Sequence, residues 1–202
     1  MPENSAETSN NTVKGQKKAD NRPSNAWVIT VSGPHGTGKS TYARVLAEEL
    51  RLRYVCAGEL FRDLARERGM SLESFSKYAA SNPDVDHLID ERTREEAKKG
   101  GVVIDAQLAA WIVKDEADVK LLLLASDLVR FNRIAQRDHV SFEFAKNETL
   151  AREENQRIRY KKYYGIDVSD LSIYNLRIDT GLHSIEYTRK SIVDAVRSLL
   201  KK

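Results

Sequence analysis

Gly33-Pro34-His35-Gly36-Thr37-Gly38-Lys39-Ser40 follows the apolar run Trp27-Val28-Ile29-Thr30-Val31-Ser32 and leads into Thr41-Tyr42-Ala43-Arg44-Val45-Leu46-Ala47-Glu48-Glu49-Leu50. The spacing is glycine, four residues, then Gly-Lys-Ser. Glycines let the backbone curl so that several N–H groups face one anion, the lysine adds a positive charge, and the serine hydroxyl is available to Mg²⁺. Eight residues can match by chance, so the context decides. A buried-looking strand precedes the loop, and Ala43, Leu46, Ala47 and Leu50 recur at helical spacing after it. The stretch reads as a phosphate-binding loop between strand and helix, rather than as an ordinary glycine-rich turn.

Working outward, four more apolar runs read as strands: Tyr54 to Cys56, Val102 to Asp105, Val119 to Ala125, and Asn175 to Asp179. None alternates cleanly, and continuous apolar runs indicate burial on both faces. Amphipathic patterns lie between them. Leu60, Phe61, Leu64 and Ala65 mark one helix; Leu72, Phe75, Tyr78 and Ala79 a second, capped by Ser71; Val85, Leu88, Ile89 and Ala97 a third. Ser126-Asp127 caps a helix containing Val129, Ile134 and Ala135, and Ile185, Ile192, Val193, Val196 and Leu200 mark a closing one. The expected fold is α/β: a doubly wound, five-stranded parallel sheet with helices on both faces and its ligand outside the carboxyl ends of the strands. Two insertions interrupt the alternation, a helical one over 58–101 and a charged, Arg-rich one over 137–173. Both are large enough to be mobile covers, which a phosphotransferase needs so that its donor meets an acceptor and not bulk water.

The chain of 202 residues, 41% hydrophobic and 31% charged, suits a single domain over 26–202. Residues 1–25 carry few apolar side chains and are expected to be a disordered tail, without the apolar core of a signal peptide. No run approaches the ~18 apolar residues of a membrane span, so a cytoplasmic protein is expected. Cys56 is the single cysteine, which excludes an intramolecular disulfide and a thiolate zinc cluster; in Tyr54-Val55-Cys56 it reads as a small hydrophobe in a strand. A net charge of +3 is too small to announce a nucleic-acid partner. Between Arg130 and Lys162, however, nine Lys or Arg stand against five Asp or Glu, a local excess that suits polyanionic nucleotides.

Phosphoryl transfer asks a protein for alignment and for positive charge around the moving group. Lys39 is the first such cation. Asp105, closing Val102-Val103-Ile104, would emerge beside the phosphate loop and, with Ser40, suits Mg²⁺ or its water. Arg133 and Arg137 share one helix face, and Arg152, Arg157 and Arg159 follow at the far end of the second insertion. Arginine at both ends suits a lid closing on phosphates, because a guanidinium holds two oxygens at once; a salt-bridged helix involving Glu153 and Glu154 is the alternative. In Gly58-Glu59-Leu60-Phe61-Arg62, Arg62 lies on the first turns of a helix after the second strand, where an acceptor phosphate would be met.

These residues together resemble the nucleoside monophosphate kinases, and within them the short archaeal-type cytidylate kinases. The carrying segments are Ala57 to Arg62, Arg133-Ile134-Ala135-Gln136-Arg137, Arg68 to Tyr78, and above all Tyr164-Gly165-Ile166-Asp167-Val168-Ser169-Asp170-Leu171-Ser172-Ile173-Tyr174-Asn175-Leu176-Arg177-Ile178-Asp179-Thr180. The resemblance implies ATP and Mg²⁺ as cofactors, with ATP on Gly33, Pro34, His35, Gly36, Thr37, Gly38, Lys39, Ser40 and Thr41. It implies that Arg62, Gly58, Asp105 and Gln107 face the acceptor, and that Arg133, Arg137, Arg157 and Arg159 surround the transferring group. The implied reaction moves the γ-phosphoryl of ATP to CMP or dCMP. Small nucleotides are the expected partners of an expected monomer, and neither a membrane nor a nucleic acid is expected. The family's acidic-Gly-Arg triplet after the third strand is here Asp105-Ala106-Gln107, so its arginine is missing, and Asn175 replaces an Asp. Gln107 offers hydrogen bonds but no charge, which leaves open an alternative reading: a nucleotide-binding sensor or interaction module with weakened or lost kinase activity.

Overall fold

The structure, a computed structural model, describes residues 26–201; the tail expected over 1–25 lies outside them. The strands are β1 (Val28–Ser32), β2 (Arg53–Cys56), β3 (Val102–Asp105), β4 (Val119–Leu124) and β5 (Leu176–Asp179). They form one parallel sheet in the order β2-β3-β1-β4-β5. Helices α1 (Lys39–Leu50) and α8 (Ile185–Leu200) cover one face. Against them pack Ile29, Val31, Val103, Val119, Leu121 and Leu123, together with Leu46, Ile192 and Val196 from the helices. Val28, Val102 and Ile104 point to the other face, where α5 (Ala109–Ile112) supplies Ala109 and Ile112. The central strands β1, β3 and β4 are therefore buried on both faces, which is why they carry near-continuous apolar runs.

Helices α2 (Ala57–Glu67), α3 (Leu72–Ser81) and α4 (Asp84–Lys98) form the first insertion. They close on a small core of their own containing Leu64, Phe75, Val85 and Ile89, with the Phe61 and Phe75 rings 4.8 Å apart. Ser71 accepts from Ser74 N–H and Ser126 from Val129 N–H, so both expected caps are made.

The second insertion holds more regular structure than its composition suggests. After α6 (Asp127–Asp138), a short turn leads to Ser141, which caps α7 (Phe142–Tyr164), a helix of 23 residues. Its apolar side chains follow no single stripe. Ala145 packs with Ile134 and Ala135 of α6, whereas Tyr160 and Tyr164 reach the α5 side of the sheet. Gly165 then ends the helix at φ 65°, with its N–H on the Lys161 and Tyr160 carbonyls.

The strand order places a crevice where β1 departs toward β2 on one side and β3 leads to β4 on the other. Asp105 ends β3 opposite Val31 of β1 and Cys56 of β2, and the phosphate loop leaves β1 one residue after Ser32. Ligands of open α/β sheets bind at such a point.

Candidate functional site

The loop from Gly33 to Gly38 is shaped by contacts that admit no side chain. A Cβ on Gly33 would lie 2.3 Å from the Leu123 carbonyl oxygen, and one on Gly36, at φ +80°, 2.6 Å from that of Arg130. Only glycine passes so close to β4 and α6 at these dihedrals. Inside the loop, Thr37 Oγ1 and Lys39 Nζ each donate to the Pro34 carbonyl at 2.9 Å. No side chain caps α1, so its first N–H groups and the positive end of its dipole are available to an anion. Burial pushes the Lys39 amine down to about 8, against the pull of Asp105 and Glu153.

Asp105 is buried at the end of β3. Its Oδ2 accepts from Ser40 Oγ at 2.6 Å and from Tyr54 OH at 3.0 Å. Burial next to this carboxylate pushes the Tyr54 phenol well above its ordinary range. Among the described residues no group of three His, Cys, Asp or Glu side chains is arranged to hold a metal by itself. One hydroxyl and one carboxylate nevertheless suit Mg²⁺ that arrives with phosphates and keeps several waters.

The other expected residues are distributed unevenly. Arg133 grips Thr180, Nη1 to Oγ1 at 2.9 Å and Nη2 to the carbonyl at 2.8 Å, and Thr180 Oγ1 donates in turn to the Thr37 carbonyl at 2.9 Å. It thereby ties the phosphate loop to the end of β5. Arg137 is exposed and paired with Asp138, and Arg157 is exposed and paired with Glu154. Arg159 meets Asp86 of α4, Nε to Oδ2 at 3.3 Å. Arg62 is exposed, 4.0 Å from Glu59, on the same turn region as Gly58. Asp86 Oδ2, Asp90 Oδ2 and Arg159 Nε are buried without a hydrogen-bond partner among the described residues, and burial pushes both carboxyls up. These atoms lie between the first insertion and α7.

Two residues outside the expected site set, Arg130 and Glu153, sit at the loop itself. Arg130, its side chain only 6% exposed, donates to the His35 carbonyl at 2.8 Å, to Glu153 at 2.7 Å and to Asp127 at 2.6 Å. Glu153 accepts from the His35 N–H at 2.9 Å. In sequence, Arg130 was one cation of a basic segment and Glu153 a surface partner for an arginine; an (i, i+3) Asp127–Arg130 pair was the available signal. Gln107 is engaged at both ends of its amide, Nε2 lying 3.0 Å from His35 Nε2 and Oε1 accepting from Tyr160 OH at 2.9 Å. A cavity of about 450 Å³ opens beneath α7, walled by Pro34, Trp111, Leu122, Leu150, Tyr160 and Tyr174.

Sheet order, loop and helical insertions define a small P-loop kinase fold. Shikimate kinase from Bacteroides thetaiotaomicron superposes with a TM-score of 0.61 at 13% identity, over 87% of this chain and 99% of that one. A gluconokinase from Sinorhizobium meliloti does so with 0.59 at 14%, over 88% and 95%. Identities this low bear on the fold alone. The chain belongs to the cytidylate kinase-like family, whose profile matches residues 28–182. It is 50% identical to a cytidylate kinase of Aeropyrum pernix, over 83% of this chain and 97% of that protein, and 48% identical to one of Staphylothermus marinus, over 87% and 99%.

Proposed function

We propose that the protein transfers the γ-phosphoryl group of Mg²⁺-bound ATP to CMP, and to dCMP, yielding CDP or dCDP and ADP. The observation that carries this reading is identity approaching half, across nearly the whole of the archaeal relatives, to proteins named cytidylate kinase. The geometry supports it by placing a donor loop and a separate helical insertion at the same carboxyl edge of the sheet.

In this reading the loop N–H groups and Lys39 hold the β and γ phosphates, while Ser40 and Asp105 hold Mg²⁺ or its waters. Arg133, Arg137, Arg157 and Arg159 are the cations that gather around the transferring group, the exposed ones leaving their carboxylate partners as the lid closes. Exposed pairs of this kind are individually weak, so phosphate competes for them readily. Arg62, beside Gly58, meets the acceptor phosphate. The Asp86–Arg159 ion pair, its facing atoms buried, and the neighbouring Asp90 supply hydrogen-bonding capacity between the two insertions, where the acceptor nucleoside would lie. Both halves belong to one chain, which suits a monomer. Among the described residues no helix is long and apolar enough to cross a membrane, which suits a cytoplasmic setting.

The alternative, a nucleotide-binding module without turnover, rests on Gln107 alone, and the identity to the named kinases disfavours it. A coupled assay for ADP formation with CMP, dCMP, UMP, AMP and GMP tests the proposal. Fastest turnover with CMP or dCMP is expected; ATP binding without turnover on any acceptor would establish the module instead.

A further inference from the structure

The backbone N–H, the carbonyl and the imidazole Nε2 of His35 are held by the two lid helices and by Gln107. Its carbonyl accepts from Arg130 Nη1 of α6 at 2.8 Å, and its N–H donates to Glu153 Oε1 of α7 at 2.9 Å. Arg130 and Glu153 close the ring between them at 2.7 Å. The imidazole Nε2 lies 3.0 Å from Gln156 Oε1 and 3.0 Å from Gln107 Nε2. A neutral ring nitrogen either donates or accepts, so it serves Gln156 or Gln107 at any moment. Glu153, Gln156 and Tyr160 are spaced by three and four residues, which puts them on one stripe of α7 facing the loop.

Two further observations give this joint its consequence. Beneath the same stretch of α7 lies the cavity of about 450 Å³ between Leu150, Trp111 and Tyr160, so apolar packing under the helix has a gap between Leu150 and Tyr160, where the polar joint stands. Arg130 is nearly enclosed, and a buried guanidinium is tolerable only with its hydrogen bonds made; removing one member of the ring leaves the others unsatisfied.

We propose that His35 is a positioning residue: through Arg130, Glu153 and Gln156 it sets where α7 stands over the phosphate loop, and so presents Arg152, adjacent to Glu153, to the transferring phosphoryl group. Arg152 makes no hydrogen bond or ion pair among the described residues, unlike Arg137, Arg157 and Arg159. Its charge lies close enough to contribute to the depressed basicity of both His35 and Lys39. The inference rests on the phosphoryl transfer proposed above.

A double-mutant cycle on the full chain tests it, with kcat and the KM for ATP measured at saturating CMP for His35→Ala, Arg152→Ala and the pair. Each single change is expected to lower kcat on the order of 10²-fold, as for a displaced catalytic group, with the KM for ATP moving much less. The double variant is expected to be no slower than Arg152→Ala, because His35 acts through it. Gln156→Ala, which removes only a ring contact, is expected to lower kcat in the same sense by a smaller factor, and His35→Asn to recover part of the loss; circular dichroism checks that each variant is folded. Multiplying effects in the double variant, a wild-type kcat for Arg152→Ala, or a loss confined to the KM for ATP would each overturn the proposal. Wild-type protein that forms no ADP with any nucleoside monophosphate overturns the kinase reading itself, a result seen before any variant is compared.

Discussion

Ser40 Oγ and Asp105 Oδ2 are 2.6 Å apart, joined by a hydrogen bond across 65 residues of sequence. One stands in the first turn of α1 and the other at the end of β3, and the register that sets Asp105 against Val31 brings them together. Two hydroxyls, from Ser40 and Tyr54, are directed at one carboxylate oxygen. That arrangement holds the Asp105 carboxylate in one orientation beside the loop, as the metal-side role proposed for it requires.

Asp105→Asn is therefore expected to leave the fold intact and raise the Mg²⁺ concentration for half-maximal rate by about 10–100-fold, the usual effect of disturbing a group that orients a metal or its water. Titrating the initial rate with MgCl₂ at fixed ATP reads this directly. An unchanged Mg²⁺ curve would remove Asp105 from the metal side of the site.

Lys39 combines the task in transfer proposed for it with an unfavourable location. Burial holds its amine at about 8, below the ordinary lysine range, so enclosing the charge costs stability in the empty protein. Lys39→Met is expected to slow turnover by on the order of 10³-fold or more, by analogy with other transition-state cations. The same change is expected to raise unfolding stability by roughly 1–3 kcal/mol. Turnover and urea melts on the same preparations check both halves; a variant that is inactive and less stable would contradict the second.

His35 gives a pH dependence of definite sign. Burial is the largest cause that lowers its imidazole from 6.5 to about 4, aided by Arg152 of α7 and Lys39 of α1 and opposed by Gln156 and Glu153; Arg130 of α6 faces it as well. Between these values the unfolded chain binds the proton and the folded one does not, so stability falls as pH drops from about 6.5 to about 4. His35→Asn cannot titrate. Its melting temperature is expected to fall less than that of the wild type between pH 7 and pH 4.5, whatever its absolute value. Parallel curves would show that other groups set the acid limit.

The central strands were legible because burial on both faces of a parallel sheet leaves near-continuous apolar runs. The residues from Val28 to Ser32 and from Val102 to Asp105 stand in the structure as the sequence suggests. Helix α7 was legible only as a salt-bridged alternative around Glu153 and Glu154, and its length of 23 residues was not. Its apolar side chains turn from α6 at Ala145 to α5 at Tyr160, so no periodic stripe survives over its length. The Arg130–Glu153 pair was hidden for a related reason. Charged residues in a charged segment read as a solvated face, and only the close approach of α6 to Gly36 encloses them. In the phosphate loop the residue types declared the chemistry, but what surrounds His35 depends on partners more than 70 residues away.

Gly36 and Gly165 allow the steric role of the loop to be separated from simple backbone strain. Both have positive φ, +80° and +65°. A Cβ at Gly165 meets nothing within 4 Å, so Gly165→Ala carries only the left-handed penalty of about 1–2 kcal/mol. A Cβ at Gly36 meets the backbone of Arg130 at 2.6 Å, where no flexible side chain can yield. To relieve it, α6 and the loop must part, and with them the contacts of Arg130 and Arg133 to the loop carbonyls. Gly36→Ala is therefore expected to lower the melting temperature further than Gly165→Ala and to weaken ATP binding in calorimetry, whereas Gly165→Ala keeps wild-type ATP affinity. Equal losses of stability with ATP affinity intact in both would mean that the loop can move away from α6 without consequence.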